Sequence, residues 1–153
     1  MDSRAATTAD LAKVFRNLAD RMLAEYQRAG ATRQEAKQLF RSAIDQGHAH
    51  ALLVNDRPLA IISWSDAEEF PTTSFAAIEE FFDRRYLRFS KGHLTSIQTG
   101  LGRKEVHSHS WSLRDDTSKW FRLLGFDGPY ERGDHKLYIL PTKQDYVKPK
   151  SED

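Results

Sequence analysis

Several clusters in this sequence have the residue types and spacing to do chemistry. Glu79 and Glu80 are adjacent, with Asp83 close behind. A carboxylate here can act as a general base for an amine. The same acids also suit a helix start, where the positive end of the helix favours negative side chains. Both readings stand. His107 and His109 alternate, so on a strand they share one face, a spacing that can ligate a metal. A metal would need a third ligand, and Asp115, Asp116 and His135 are the candidates in space. His48 and His50 repeat the alternation. Either pair can equally be the polar side of a half-exposed strand, and no metal site is assigned. Arg84, Arg85, Arg88, Lys91, His93, Arg103 and Lys104 form a basic stretch interleaved with Tyr86 and Phe89. That mixture can touch phosphates and stack on bases. Tyr86 and Phe89 also fit core spacing, which would leave the cations as a solvated face.

The elements that must position these groups follow from periodicity. Leu11, Val14, Phe15, Leu18, Met22, Leu23 and Tyr26 recur at helical spacing after Thr8-Ala9-Asp10, and the helix is expected to run to Gly30. Arg16, Asp20, Arg21 and Glu25 fall on its wet side. Thr32 with Glu35 predicts a capping box for a second helix, with a stripe of Ala36, Leu39, Phe40, Ala43 and Ile44 and a stop at Gly47. The period then shortens. Residues 49–54 and 59–64 read as a hairpin around Asn55-Asp56-Arg57-Pro58, and residues 72–78 as a third strand. A third helix is expected from Asp83 to Leu101. Residues 105–112 form a fourth strand, with Val106, Ser108, Ser110 and Ser112 on one face and His107, His109 and Trp111 on the other. Asp115-Asp116-Thr117 caps a fourth helix that closes on Leu124-Gly125-Phe126, and residues 130–140 form a final arm.

The predicted order is α-α-β-β-β-α-β-α-β, an α/β domain over residues 1–142 with a mixed sheet. The strands flanking the third helix are expected to be parallel, joined by a right-handed crossover. The charged residues 143–153 read as a mobile tail. The chain has 153 residues, with 39% hydrophobic and 29% charged, which suits a soluble globular domain. A net charge of +1 gives no global pull toward nucleic acid or membrane. Cysteine is absent, which removes disulfides, thiolate catalysis and cysteine metal sites, and suits a reducing cytoplasm. No apolar run is long enough for a membrane span, and no secretory signal is expected.

This order, with a helix ending Ser118-Lys119-Trp120-Phe121-Arg122-Leu123-Leu124-Gly125-Phe126 before a last hairpin, resembles the GNAT superfamily of acyl-CoA N-acyltransferases across residues 8–140. Within it the chain looks most like the degenerate GNAT-like proteins of short-tailed phages, some of them internal virion proteins. The shared features are the aromatic strand and loop 75–82, the basic third helix 84–103, Trp111, the turn Arg114-Asp115-Asp116 and the helix Phe121 to Gly125. The resemblance implies an origin in the cytoplasm of an infected bacterium or in the virion. Its implied partner is a phage structural or host protein, with nucleic acid a weaker possibility.

Two departures from the family pattern bear on activity. An active member carries an R/Q-x-x-G-x-G/A loop after the third strand, whose N–H groups hold the coenzyme A pyrophosphate. Here that stretch is Ile78-Glu79-Glu80-Phe81-Phe82-Asp83-Arg84-Arg85, without glycine and with three acids that repel phosphate. Many members also use a tyrosine on the fourth helix to protonate the departing thiolate. Alignment on Gly125-Phe126 puts Phe121 there, which cannot donate a proton, with Tyr130 and Tyr138 nearby. The resemblance therefore implies a non-catalytic protein with no cofactor, a pseudoenzyme. The alternative is an active N-acyltransferase with an atypical cofactor loop. It would hold acetyl-CoA or another acyl-CoA between the third and fourth strands. Glu79 or Glu80 would be its base, Phe75, Ala76, Ala77 and Ile78 its oxyanion and cofactor backbone, and Arg84 and Arg85 its anion contacts.

Overall fold

The protein's structure, a computed structural model, describes residues 1–143, so the tail beyond Lys143 lies outside the described residues. In chain order the elements are β1 (Asp2–Ala5), α1 (Thr8–Arg16), α2 (Asp20–Arg28), α3 (Arg33–Asp45), β2 (Ala49–Val54), β3 (Arg57–Ser65) and β4 (Thr72–Ala77). Two 3₁₀ turns follow, Glu79–Phe82 and Arg84–Tyr86. Then come α4 (Leu87–Gly100), β5 (Val106–Ser110), α5 (Thr117–Leu123), β6 (Asp127–Arg132) and β7 (His135–Leu140). The strands make one sheet in the order β1-β2-β3-β4-β5-β7-β6. All neighbours are antiparallel except β4 and β5, the parallel pair that the strand–helix–strand step requires.

Local chemistry explains where the elements begin and end. Asn55 and Asp56 both take positive φ, 51° and 64°, which closes the β2–β3 hairpin in the sense that matches strand twist. Thr32 and Glu35 form the expected capping box. Gly125 ends the α5 segment at φ 102°, a conformation that costs a side-chain-bearing residue more than glycine.

Four features differ from the sequence reading. Residues 2–5 form an exposed edge strand, β1, although they show no apolar alternation. Edge pairing needs only backbone groups, here from Asp2↔Leu53 to Ala5↔His50. The first helix is capped by Thr7, whose side chain accepts the Asp10 N–H, and it breaks at Asn17. Ala19 N–H donates instead to the Ala77 carbonyl at 2.9 Å, and Leu18 bridges Ile78, so the α1–α2 link acts as a scrap of strand on β4. The helix expected from Asp83 starts at Leu87, because the Asp83 carboxylate takes the Arg85 N–H at 3.0 Å and tightens that stretch into 3₁₀ turns. The final arm is a two-stranded hairpin, β6–β7.

The sheet divides the core in two. Leu11, Val14 and Phe15 of α1 with Ala36 and Phe40 of α3 cover Ala51, Leu53, Ile61 and Ala76 on one face. On the other, Leu94 and Ile97 of α4 and Phe121 of α5 pack on Leu52, Ile62, Phe75, Val106, Tyr138 and Leu140. Alternation along each strand assigns the faces. Buried Gln98 ties α4 to the end of β7, its amide nitrogen donating to the carbonyls of Lys104 (2.9 Å) and Pro141 (2.7 Å).

Candidate functional site

The parallel pair is where the sheet opens. β4 and β5 pair only at Thr72↔His107, backed by His107 N–H to the Pro71 carbonyl at 2.8 Å. Beyond that point the strands part toward Ala77 and Ser110. The sheet twist and the crossover leave a slot there, the usual place for a site in open α/β sheets. A cavity of about 350 Å³ fills this slot. Ser63, Ser74, His109 and Trp111 line it from the α3 side, and Phe75, Ser108, Trp120 and Phe121 from the α5 side. Helix α2 roofs it with Arg21, Met22, Glu25 and Tyr26.

Among these groups Glu25 is the carboxyl on the cavity wall. Burial pushes its carboxyl pKa up, against the pull of hydrogen bonds from the Trp111 N–H (3.1 Å) and the Ser110 side chain and of nearby Arg28. Helical periodicity placed Glu25 on the wet side of its helix. The structure puts it on the cavity wall, because α2 lies over the β4–β5 slot rather than over solvent. Its neighbour Tyr26 is committed elsewhere: its hydroxyl donates to the Phe75 carbonyl at 2.6 Å, and burial holds its pKa well above the usual tyrosine range.

The acids after β4 sit outside the cavity lining. Glu79 pairs with Arg21, whose guanidinium also lies 4.1 Å from the Phe82 ring centroid. Glu80 pairs with Arg57 at 3.0 Å and accepts the Tyr86 hydroxyl at 3.0 Å, and these bonds hold its carboxyl below the usual range. Asp83 is taken by the Arg85 N–H and side chain. Arg84 is exposed. Of the β4 stretch, Phe75 faces the cavity, Ala76 is buried against α1 and α3, and Ala77 against α4. Ile78 N–H donates to the Leu59 carbonyl at 3.0 Å. Where the resemblance places a phosphate loop, rings meet instead. Trp120 lies 5.2 Å from Phe82, 5.4 Å from Phe75 and 6.1 Å from Phe81. Phe121 stacks on Tyr138 at 4.0 Å, and the Tyr138 hydroxyl shares a 3.0 Å hydrogen bond with Ser118. Asp116 stands at the α5 cap position, but its carboxylate is turned to Arg114 at 2.9 Å.

The histidines pair in ways their spacing did not indicate. His50 Nδ1 lies 2.8 Å from His93 Nε2, and His109 Nδ1 lies 2.9 Å from His135 Nε2. His107 turns to Glu105 at 2.8 Å. Among the described residues no three His, Asp or Glu side chains are grouped to hold a metal. No helix there is long and apolar enough to cross a membrane.

A mixed sheet opened between two parallel strands, with helices on both faces, defines the class of this protein as the GNAT fold. Known structures agree. The chain resembles the PaiA N-acetyltransferase of Thermoplasma acidophilum in complex with coenzyme A (TM-score 0.70, 10% identity, covering 93% of this chain and 98% of that one). It also resembles AAC(6')-Ib in complex with paromomycin and acetyl-CoA (0.65, 13%, 93% of each chain). A third likeness is an N-acetyltransferase from Staphylococcus aureus Mu50 (0.64, 11%, 93% and 98%). At such identities the likeness establishes the fold. No family model matches the sequence. No curated protein matches it either.

Proposed function

We propose that this chain is a GNAT-fold protein with a degenerate coenzyme A site, acting by binding rather than by acyl transfer. The observation that carries this reading is the segment 78–85. It lacks glycine, so its backbone cannot come close to a phosphate, and its acids are held by Arg21, Arg57 and the Arg85 N–H. Trp120 lines the β4–β5 cavity and packs against Phe75, Phe81 and Phe82. The setting we infer is a short-tailed phage, in the virion core or the cytoplasm of the infected bacterium, with a phage structural or host protein as partner. That setting is supported by the sequence resemblance.

Calorimetry with acetyl-CoA and coenzyme A at low salt tests the reading. No heat is expected at millimolar ligand. Micromolar binding that disappears when Arg84 and Arg85 become alanine would overturn it. Mass spectrometry of purified particles tests the setting, and absence of the chain from particles would remove the virion role.

One observation favours a second reading, an acyl-CoA-dependent N-acyltransferase with an atypical loop. Glu25, its pKa raised by burial on the cavity wall, is the type of group that can take a proton from an amine. On that reading Glu79 and Glu80 give up the role of base to Glu25. Acetyl transfer would then be measurable and would fall at least a hundredfold in Glu25→Gln, on the scale of a lost general base.

A further inference from the structure

We propose that Asp134, His135 and His109 form a proton-transfer chain that makes His109 Nε2 a base facing the β4–β5 cavity. The ligand class it serves carries an ammonium or hydroxyl donor. The proposal rests on the cavity taking a ligand, and is independent of whether coenzyme A binds.

The geometry is continuous. Asp134 Oδ1 lies 2.8 Å from His135 Nδ1, and His135 Nε2 lies 2.9 Å from His109 Nδ1. Trp111 braces the chain, stacked on His135 at 4.2 Å with its indole N–H 3.4 Å from Asp134 Oδ2. The chain also spans two cavities. His109 lines the first, while Asp134 and His135 line a second of about 360 Å³, and Trp111 borders both.

The tautomers follow from the bonds. The Asp134 carboxylate is held ionised, first by its bond to His135 and then by Trp111, so it must accept from His135 Nδ1–H. A neutral His135 then has a bare Nε2, which must accept from His109 Nδ1–H. That leaves His109 Nε2 with its lone pair and no hydrogen bond among the described residues. A donor in the cavity gives its proton to His109 Nε2. The Nδ1 proton of His109 passes to His135 Nε2. His109 is neutral again, now protonated on Nε2, and the positive charge rests on His135 beside Asp134. The ligand has lost one proton and the chain has gained one.

The surroundings support this direction. Burial, then His135, His107 and Arg132, all work against a positive charge on His109 itself. Glu25 shares the first cavity, while Arg114, Asp115, Glu131 and Lys136 line the second. The proton passed on to His135 arrives next to the Asp134 carboxylate, 2.8 Å away.

Long-range ¹H–¹⁵N spectra of the histidine side chains, recorded from pH 5 to pH 9, test the chain on the protein as it is. At pH 8 His109 is expected to carry its proton on Nδ1 and His135 on Nδ1. With Asp134→Asn, the Nδ1–H share of His109 should fall from the great majority of molecules to a minority, while His107, outside the chain, keeps its spectrum. A wild-type His109 protonated on Nε2 at pH 8 overturns the proposal, even if the variant does not fold. So does a folded Asp134→Asn protein with unchanged tautomers. Neither result would bear on the calorimetry of coenzyme A.

Discussion

Phe121→Ala is expected to lower the unfolding free energy by about 4 kcal/mol, within the range for removing a buried phenylalanine. The ring is 4% exposed and sits at the junction of α5 with the sheet. It stacks on Tyr138 and meets Phe126, Phe75 and Trp120 edge-on, at centroid distances of 4.0, 5.3, 6.3 and 5.1 Å. Removing it leaves a void between rings that are pinned by their own neighbours and cannot collapse into the space. Urea unfolding at neutral pH reads the effect as a lower midpoint with an unchanged slope. A loss under 1 kcal/mol would mean that α5 is not packed as described. The same position links packing to function. Phe121→Tyr restores the hydroxyl that the resemblance implies for acyltransferases. Under the proposed function it produces no acetyl transfer, because the segment 78–85 still offers no phosphate site.

Acidification from neutral pH should destabilise the protein through a buried histidine. His93 is 6% exposed on α4, against His50 of β2, and its Nδ1 has no partner. Burial, then the charge on His50, lowers its pKa from 6.5 to about 4. Between those values the unfolded chain binds the proton and the folded one does not, so stability falls as pH falls. The loss begins near pH 6.5 and is complete below about pH 4, on the order of 3 kcal/mol in all. His50 and His109, also lowered chiefly by burial, add to it with the same sign. Denaturation at pH 7.5 and pH 4.5 measures the drop. His93→Leu keeps an apolar filling and should remove most of it. A wild type equally stable at both pH values would show that His93 is solvated.

How far the site could be read in advance differs residue by residue. The serine face of β5 was legible, because alternation assigns strand faces without reference to the rest of the chain. The capping box at Thr32 and the helix stop at Gly125 are equally local. Glu25 was not legible. Its helix has one clear apolar stripe, and a residue beside that stripe reads as wet until something is placed over it. The bond from His135 to His109 crosses 26 positions and depends on the β5–β7 register, in which His109 faces Leu137. The even spacing of His107 and His109 put both on one strand face, while the fold sends one toward Glu105 and the other toward His135.

By itself, then, the sequence determined the class of fold, the parallel pair and the absence of glycine in residues 78–85, because periodicity, caps and turns act over a few residues. Tertiary structure alone decided that the first helix breaks to pair with β4, that Trp120 meets the rings after β4, and that Glu25 and His109 meet at the β4–β5 cavity while His109 bonds His135. Those outcomes depend on desolvation and on hydrogen bonds between strands far apart in the chain, and both exist only once the sheet has closed around the gap between β4 and β5.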